Sequence, residues 1–258
     1  MSDELESLAA FAEGLADAAR GVSLKYFRTA VAADAKADAS PVTIADRETE
    51  TQLREMIEAE HPDHGIFGEE HGSVRTDAEY VWVLDPIDGT QSFVTGKPLF
   101  GTLIGLLHGG RAVLGIMDMP ALGERWVGAA GRPTTFNGDA VGTRPCPALD
   151  RAWLYATSPQ MFTDDHFPGF EALRGATRRT IYGAECQAYG LLANGWVDVV
   201  CEDTMGAYDY VALAPIVEGA GGVMTDWSGR PLGLDGDGTV LAVGDPALHG
   251  AVMEILAG

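Results

Sequence analysis

Asp85-Pro86-Ile87-Asp88-Gly89-Thr90 sets two carboxylates three residues apart across a proline-stiffened turn. Such a pair can converge on one hard cation, and the Ile87 carbonyl between them can join, because magnesium takes only oxygen ligands. Gly89 lets the backbone approach an anion closely. Successive amides at Gly89 and Thr90 can cradle a phosphate, above all where a helix begins. The Thr90 hydroxyl could orient a water. Three further carboxylates could act as partners: Asp46, Glu69 in Gly68-Glu69-Glu70, and Asp209 in Ala207-Tyr208-Asp209-Tyr210. Each also has an ordinary reading as a turn, a solvated glutamate or a helix-capping aspartate. Taken singly, the residues leave that choice open.

These residues must be positioned by regular elements. Leu5, Leu8, Ala12, Leu15 and Ala19 recur at three- and four-residue steps, which predicts a helix over 5–27. An Ala- and Asp-rich loop ending at Ser40-Pro41 follows, and a second helix is expected over 43–60, stopped by Pro62 and Gly65. The apolar run 80–84 reads as a buried strand, so the Asp85–Thr90 segment leaves a strand end, where sites often lie. Runs 101–107 and 112–117 read as strands joined by His108-Gly109-Gly110-Arg111, and 124–129 with Asn137-Gly138 extends the antiparallel pattern. The second half alternates strands (152–155, 197–201, 223–226, 239–243) with helices (167–173, 185–194, 210–220, 247–256). The chain therefore reads as an antiparallel sheet between helices in the N-terminal half and a mixed α/β sheet in the C-terminal half. The boundary between the halves, 1–145 and 146–258, is expected near Pro145–Pro147.

A formal charge of −21, from 17 basic and 38 acidic residues, argues against nucleic acid and anionic membrane as partners. Hydrophobic residues make up 46% of the chain, enough for a sizeable core. No apolar run approaches the roughly 18–20 residues of a membrane span, and the acidic N-terminus does not resemble a signal peptide, so the expected location is cytoplasmic. Cys146, Cys186 and Cys201 are widely spaced, which disfavours disulfides and structural zinc. The six histidines show no metal-ligand spacing. Glu218-Gly219-Ala220-Gly221-Gly222 follows a helix rather than opening one, so it reads as a C-terminal cap, not a nucleotide loop.

Asp46, Gly68-Glu69-Glu70, Asp85-Pro86-Ile87-Asp88-Gly89-Thr90, Tyr208-Asp209 and Glu218-Gly219-Ala220-Gly221-Gly222, in that order, resemble the inositol monophosphatase superfamily. The resemblance extends over about 5–256, with Tyr208 standing where the family usually has Trp. It implies a layered αβαβα sandwich and a phosphatase with two magnesium ions, or three. By resemblance, Glu69, Asp85 and the Ile87 carbonyl hold the first ion. Asp85, Asp88 and Asp209 hold the second. Asp88, Gly89 and Thr90 bind phosphate, Glu69 and Thr90 orient the attacking water, and Asp46 supports Thr90 and a third ion. The resemblance also implies a homodimer.

Strings such as Gln91-Ser92-Phe93-Val94-Thr95-Gly96-Lys97-Pro98 and Tyr155-Ala156-Thr157-Ser158-Pro159 are more similar to the histidinol-phosphate phosphatase branch. That branch implies hydrolysis of L-histidinol phosphate in histidine biosynthesis. Glu202 falls where the family contacts a substrate hydroxyl, with Asp209 beside it. Glu185 stands where a small residue is usual, and could pair with the substrate amine. Arg178 and Arg179 read as solvated surface. The alternatives are an inositol or broad sugar-phosphate phosphatase and, more remotely, a non-catalytic metal-binding scaffold.

Overall fold

The apolar face of the first helix, carrying Leu8, Ala12, Leu15, Ala16 and Ala19, has to be covered, and its cover is a sheet. In the computed structural model, which describes residues 2–29, 33–35 and 41–258, this is α1 (Ser2–Tyr26). The short antiparallel pair β1 (Ala33–Ala35) and β2 (Pro41–Thr43) follows, then α2 (Ile44–Glu60). Most of the predicted Ala- and Asp-rich loop, Ser40 included, lies outside the described residues. Thr43 caps α2: its Oγ1 accepts the Ala45 N–H at 3.0 Å, and its own N–H donates to Asp46 at 2.9 Å.

The first sheet has eight strands: β3 (Gly65–Gly68), β4 (Gly72–Val74), β5 (Tyr80–Asp88), β6 (Gly101–His108), β7 (Arg111–Met119), β8 (Glu124–Ala129), β9 (Thr135–Phe136) and β10 (Asp139–Ala140). Their order is β10-β9-β8-β7-β6-β5-β3-β4. It is antiparallel except that β3 runs parallel to β5. Sequence reading missed β3 and β4, which are short and flanked by glycines, so neither shows a clear period. A five-residue helix, α3 (Thr90–Val94), follows β5.

The C-terminal half contains β11 (Trp153–Ala156), α4 (Phe167–Ala176), β12 (Arg179–Tyr182), α5 (Gln187–Ala193), β13 (Val199–Glu202), α6 (Ala207–Tyr210), α7 (Leu213–Gly219), β14 (Val223–Thr225), β15 (Val240–Val243) and α8 (Pro246–Leu256). Its five strands are ordered β12-β11-β13-β15-β14. β11 is parallel to β12 and β13, while β15 is antiparallel to β13 and β14. The single helix expected over 210–220 is instead two, α6 and α7. Pro215 has no N–H to offer the Val211 carbonyl, and its ring crowds that carbonyl.

Alternation along the strands builds the layers. Trp82 and Leu84 face α1 and α2, while Val81 and Val83 face α5, α6 and α7 on the other side. Val200, Val240 and Ala242 close that middle layer from the second sheet. The outer face of the second sheet, with Leu154, Val199 and Leu241, packs on α4 and α8. The result is an αβαβα sandwich, as the resemblance implies.

One feature of this packing places the site. Gly105, Gly115 and Gly128 lie side by side across β6, β7 and β8. A Cβ on Gly115 would stand 1.8 Å from the Ala212 carbonyl oxygen, and one on Gly128 would stand 2.4 Å from Pro215 backbone. This track of bare backbone lets the α6–α7 segment lie directly on the sheet, and α6 carries Asp209.

Candidate active site

β5 ends in a bulge. Asp85 pairs with Leu103 but Asp88 pairs with Gly101, so three steps on β5 match two on β6. In a regular strand, residues three apart point to opposite faces; the extra residue turns both aspartates to one side. Asp85 Oδ1 accepts the Ile87 N–H at 3.0 Å, and Thr102 Oγ1 donates to the Pro86 carbonyl at 2.8 Å, which fixes the turn. Gly89 has φ +79°, and a Cβ there would lie 2.9 Å from Glu185 Cγ and 3.0 Å from the Leu99 carbonyl oxygen. Thr90 follows as the first residue of α3, its Oγ1 3.1 Å from the Ile87 carbonyl and 3.3 Å from Asp46 Oδ1.

The other carboxylates arrive from separate elements. Buried Glu50 on α2 accepts the N–H groups of Glu70 at 2.7 Å and His71 at 3.1 Å, fixing the Gly68-Glu69-Glu70 turn. The Glu69 N–H donates to the Leu84 carbonyl at 3.2 Å, which sets Glu69 beside Asp85. Asp209 is the third residue of α6, and its Oδ2 accepts the Gly206 N–H at 2.7 Å. Tyr208 stacks against Phe67 on β3 with ring centres 6.4 Å apart.

Asp85, Asp88 and Asp209 each offer an oxygen, all within 4.8 Å of one another; Asp88 and Asp209 border a cleft of about 490 Å³, and Asp85 is buried behind them. Among the described residues, no lysine or arginine lines this cleft. Burial, then the neighbouring charges of Glu69, Asp88 and Asp209, push the Asp85 carboxyl well above its ordinary range. Asp209 is raised by enclosure and by Asp88. Enclosure brings Asp88 to about 7, against the relief of a 2.8 Å bond from the Cys186 N–H and with Glu185 and Glu202 adding to the rise. Burial raises Asp46 too, although Thr43 and Thr90 donate to it. An all-oxygen set whose members resist joint ionisation fits a hard divalent cation, which would relieve the repulsion.

Glu202 and Glu185 also border the cleft. Glu202 is buried; Oε1 accepts Thr157 N–H and Oγ1–H at 2.9 and 2.6 Å, Oε2 accepts the Tyr189 hydroxyl at 2.7 Å, and burial raises its carboxyl. Glu185 is not in the helix expected over 185–194. It precedes α5 with φ +52°, in the left-handed region. Ser92 Oγ donates to Glu185 Oε1 at 2.7 Å, and Lys97 Nζ lies 3.4 Å from that same oxygen and donates to the Gly183 carbonyl. Arg178 lies over the Trp153 ring, away from the cleft. Sequence reading missed Glu50, Lys97, Tyr189 and the glycine track, whose roles depend on neighbours distant in sequence.

The fold and this cluster define a metal-dependent phosphatase architecture. The inositol monophosphatase family model matches residues 4–257. The chain is 45% identical to the bifunctional phosphatase IMPL2, chloroplastic, of Arabidopsis thaliana, over 98% of this chain and 76% of that one. It is 35% identical to a histidinol-phosphatase of Chlorobaculum parvum, over 88% of this chain and 89% of that one. A solved structure of an inositol monophosphatase from Zymomonas mobilis superposes with a TM-score of 0.91 at 46% identity, covering 98% of both chains. The chain belongs to the inositol monophosphatase family, whose members are generally metal-dependent phosphatases of small phosphorylated substrates. Among the described residues, no helix is long and apolar enough to cross a membrane.

Proposed function

We propose that this enzyme is a magnesium-dependent phosphomonoesterase that hydrolyses L-histidinol phosphate to L-histidinol and phosphate. The observation that carries the choice of alcohol is Glu185, a carboxylate bordering the cleft whose Oε1 is held by Ser92 and Lys97, while its Oε2 carries no hydrogen bond among the described residues and can meet a substrate cation. With Glu202 nearby, it makes a site suited to an ammonium group. The similarity to a histidinol-phosphatase supports the same alcohol. In this reading, 1–145 supplies most of the metal ligands and 146–258 supplies Asp209 and the residues that select the substrate.

Glu69, Asp85 and the Ile87 carbonyl would hold one magnesium ion. Asp85, Asp88 and Asp209 would hold a second, and Asp46 would support a third. Bound magnesium supplies electrophilic stabilisation of the phosphoryl and leaving oxygens and makes water more acidic. The Thr90 hydroxyl donates to Asp46 Oδ1 or to the Ile87 carbonyl, which leaves its lone pairs to accept a hydrogen bond from the attacking water. Glu69 accepts the water's other hydrogen and so orients it. The Gly89 and Thr90 amides donate to the equatorial oxygens as charge spreads over them. Water attacks phosphorus and the ester P–O bond breaks; one proton of the water ends on the departing oxygen and the other stays on the phosphate, giving the alcohol and hydrogen phosphate.

The test compares kcat/KM for histidinol phosphate and inositol 1-phosphate in magnesium. Histidinol phosphate is expected to be the better substrate. Glu185→Ala should cost it about tenfold or more while sparing inositol 1-phosphate. A higher value on inositol 1-phosphate would replace this reading with the second one, inositol monophosphatase activity, which the 46% identity to the Zymomonas mobilis protein favours. The proposal includes a homodimer in the cytoplasm; a monomer in sedimentation equilibrium would remove the first part, and fractionation with another compartment the second.

A further inference from the structure

The cleft has an apolar side that phosphate chemistry does not use, lined by Met161, Met205 and Leu213. Met161 lies on the segment that leaves β11. Because β11 and β13 are adjacent and parallel, with Leu154 opposite Val199, their C-terminal ends open at the same edge of the sheet. The chain leaving β11 is tied twice to the chain leaving β13. Glu202 takes both donors of Thr157. Asp203, the next residue and equally buried, takes both donors of Thr163 on Oδ2, at 2.9 and 3.1 Å. The same oxygen lies 2.9 Å from His166 Nδ1, and Oδ1 accepts the Thr204 N–H at 2.8 Å.

Between the two ties, Phe162 stacks on Phe170 with centres 3.9 Å apart, and Thr204 Oγ1 donates to the Met161 carbonyl at 3.0 Å. Thr204 holds φ +60°, a conformation a threonine keeps only where its surroundings enforce it. A buried carboxylate with this many partners is a fixed point of the fold. The segment is thus held as a rigid wall, and the wall presents thioethers. Methionine sulfur favours aromatic faces. Ser158 and Gln160 border the cleft earlier on this segment, but against the methionine side chains themselves a polyol would lose water from its hydroxyls with no partner in exchange.

We propose that Met161 and Met205 receive a flat apolar or aromatic ring of the substrate's alcohol, and that Asp203 is the positioning residue that holds Met161 in place. This rests on the phosphomonoesterase reading of the same cleft and extends it to the class of alcohol: a ring-bearing ester in preference to a polyol ester.

Full-length enzyme in magnesium is assayed on 3-phenylpropyl phosphate and propyl phosphate, which differ only by the ring, alongside histidinol phosphate and inositol 1-phosphate. The parent should favour the ring ester by about tenfold in kcat/KM. Met161→Ser and Met205→Ser should each cut that ratio about fivefold, and Met161→Leu, which keeps an apolar surface, should retain it. Asp203→Asn should raise KM for the ring ester well beyond its effect on propyl phosphate, with the change in KM rather than kcat. Should that variant not fold, His166→Ala severs the same clamp from its exposed side and should show the same bias. A parent ratio near unity overturns the proposal, as does a ratio unmoved by Met161→Ser, or an Asp203→Asn loss equal on both esters. A parent that prefers inositol 1-phosphate to histidinol phosphate overturns both the histidinol reading and the ring-over-polyol preference, whereas a ring ratio near unity with histidinol phosphate still preferred overturns the methionine wall alone.

Discussion

Asp88→Asn should make the metal-free protein more stable and the magnesium-loaded enzyme nearly inactive. Asp88 ionises at 3.8 when unperturbed and at about 7 in the folded protein, chiefly through enclosure. A carboxyl raised that far costs up to about 4 kcal/mol of stability at pH 8. Asp88 keeps one side toward the cleft, so water offsets part of this, and a gain of about 2 kcal/mol is expected from removing the charge. Asparagine can still accept the Cys186 N–H through its amide oxygen. The sign follows from linkage. A raised folded pKa means the stability is fully present below 3.8 and is lost as pH rises through about 7.

In chelator at pH 8, the variant should therefore melt roughly 4–8 °C above the parent. At pH 5 the advantage should shrink, because the folded parent carries the proton there. In magnesium the order should reverse, since the parent gains ion binding that the variant lacks. Phosphate release should fall by more than about 100-fold, beyond the cost usual for a residue that only supports a ligand. Calorimetry in chelator at the two pH values decides the matter. A variant less stable than the parent at pH 8, or an advantage unchanged at pH 5, would refute the claim that enclosure of the Asp88 carboxylate strains the metal-free fold.

Thr90→Val keeps the branched shape but removes the hydroxyl that faces Asp46, so kcat should fall by about 100-fold or more with KM little changed; steady-state kinetics on histidinol phosphate read both. Gly115→Ala forces a methyl into the Ala212 carbonyl and should cost about 3 kcal/mol, lowering the melting temperature by roughly 6–12 °C and activity with it as α6 lifts. A normal melting temperature would disprove the close approach. His64 Nδ1 accepts the Trp82 indole N–H at 3.1 Å, and burial, then the charge on His61, lowers its pKa. A depressed histidine loses stability as pH falls through its unfolded value of about 6.5. His64→Asn keeps an acceptor that does not titrate, so its stability relative to the parent should rise below about pH 6.5 in denaturant titrations.

The chemistry of the site was legible in the sequence because its oxygen donors are clustered along short strings. Asp85-Pro86-Ile87-Asp88-Gly89-Thr90 specifies two carboxylates, a strand exit and an anion-tolerant turn without reference to anything distant. The same holds for elements with a strong period, such as α1 and β5–β7, and for the layered sandwich they imply. Local patterns could not reveal what depends on packing. The bulge that turns Asp85 and Asp88 to one side exists only in the register between β5 and β6. Asp209 reaches those residues because three glycines on three strands leave room for the segment that bears it. Glu185, expected on a helix, holds a left-handed turn instead, between Gly89, Ser92 and Lys97. Residue types determined which groups could bind a cation and a phosphate. Their convergence within one cleft, and the methionine wall beside them, came from contacts between residues tens to more than a hundred positions apart, which no local periodicity encodes.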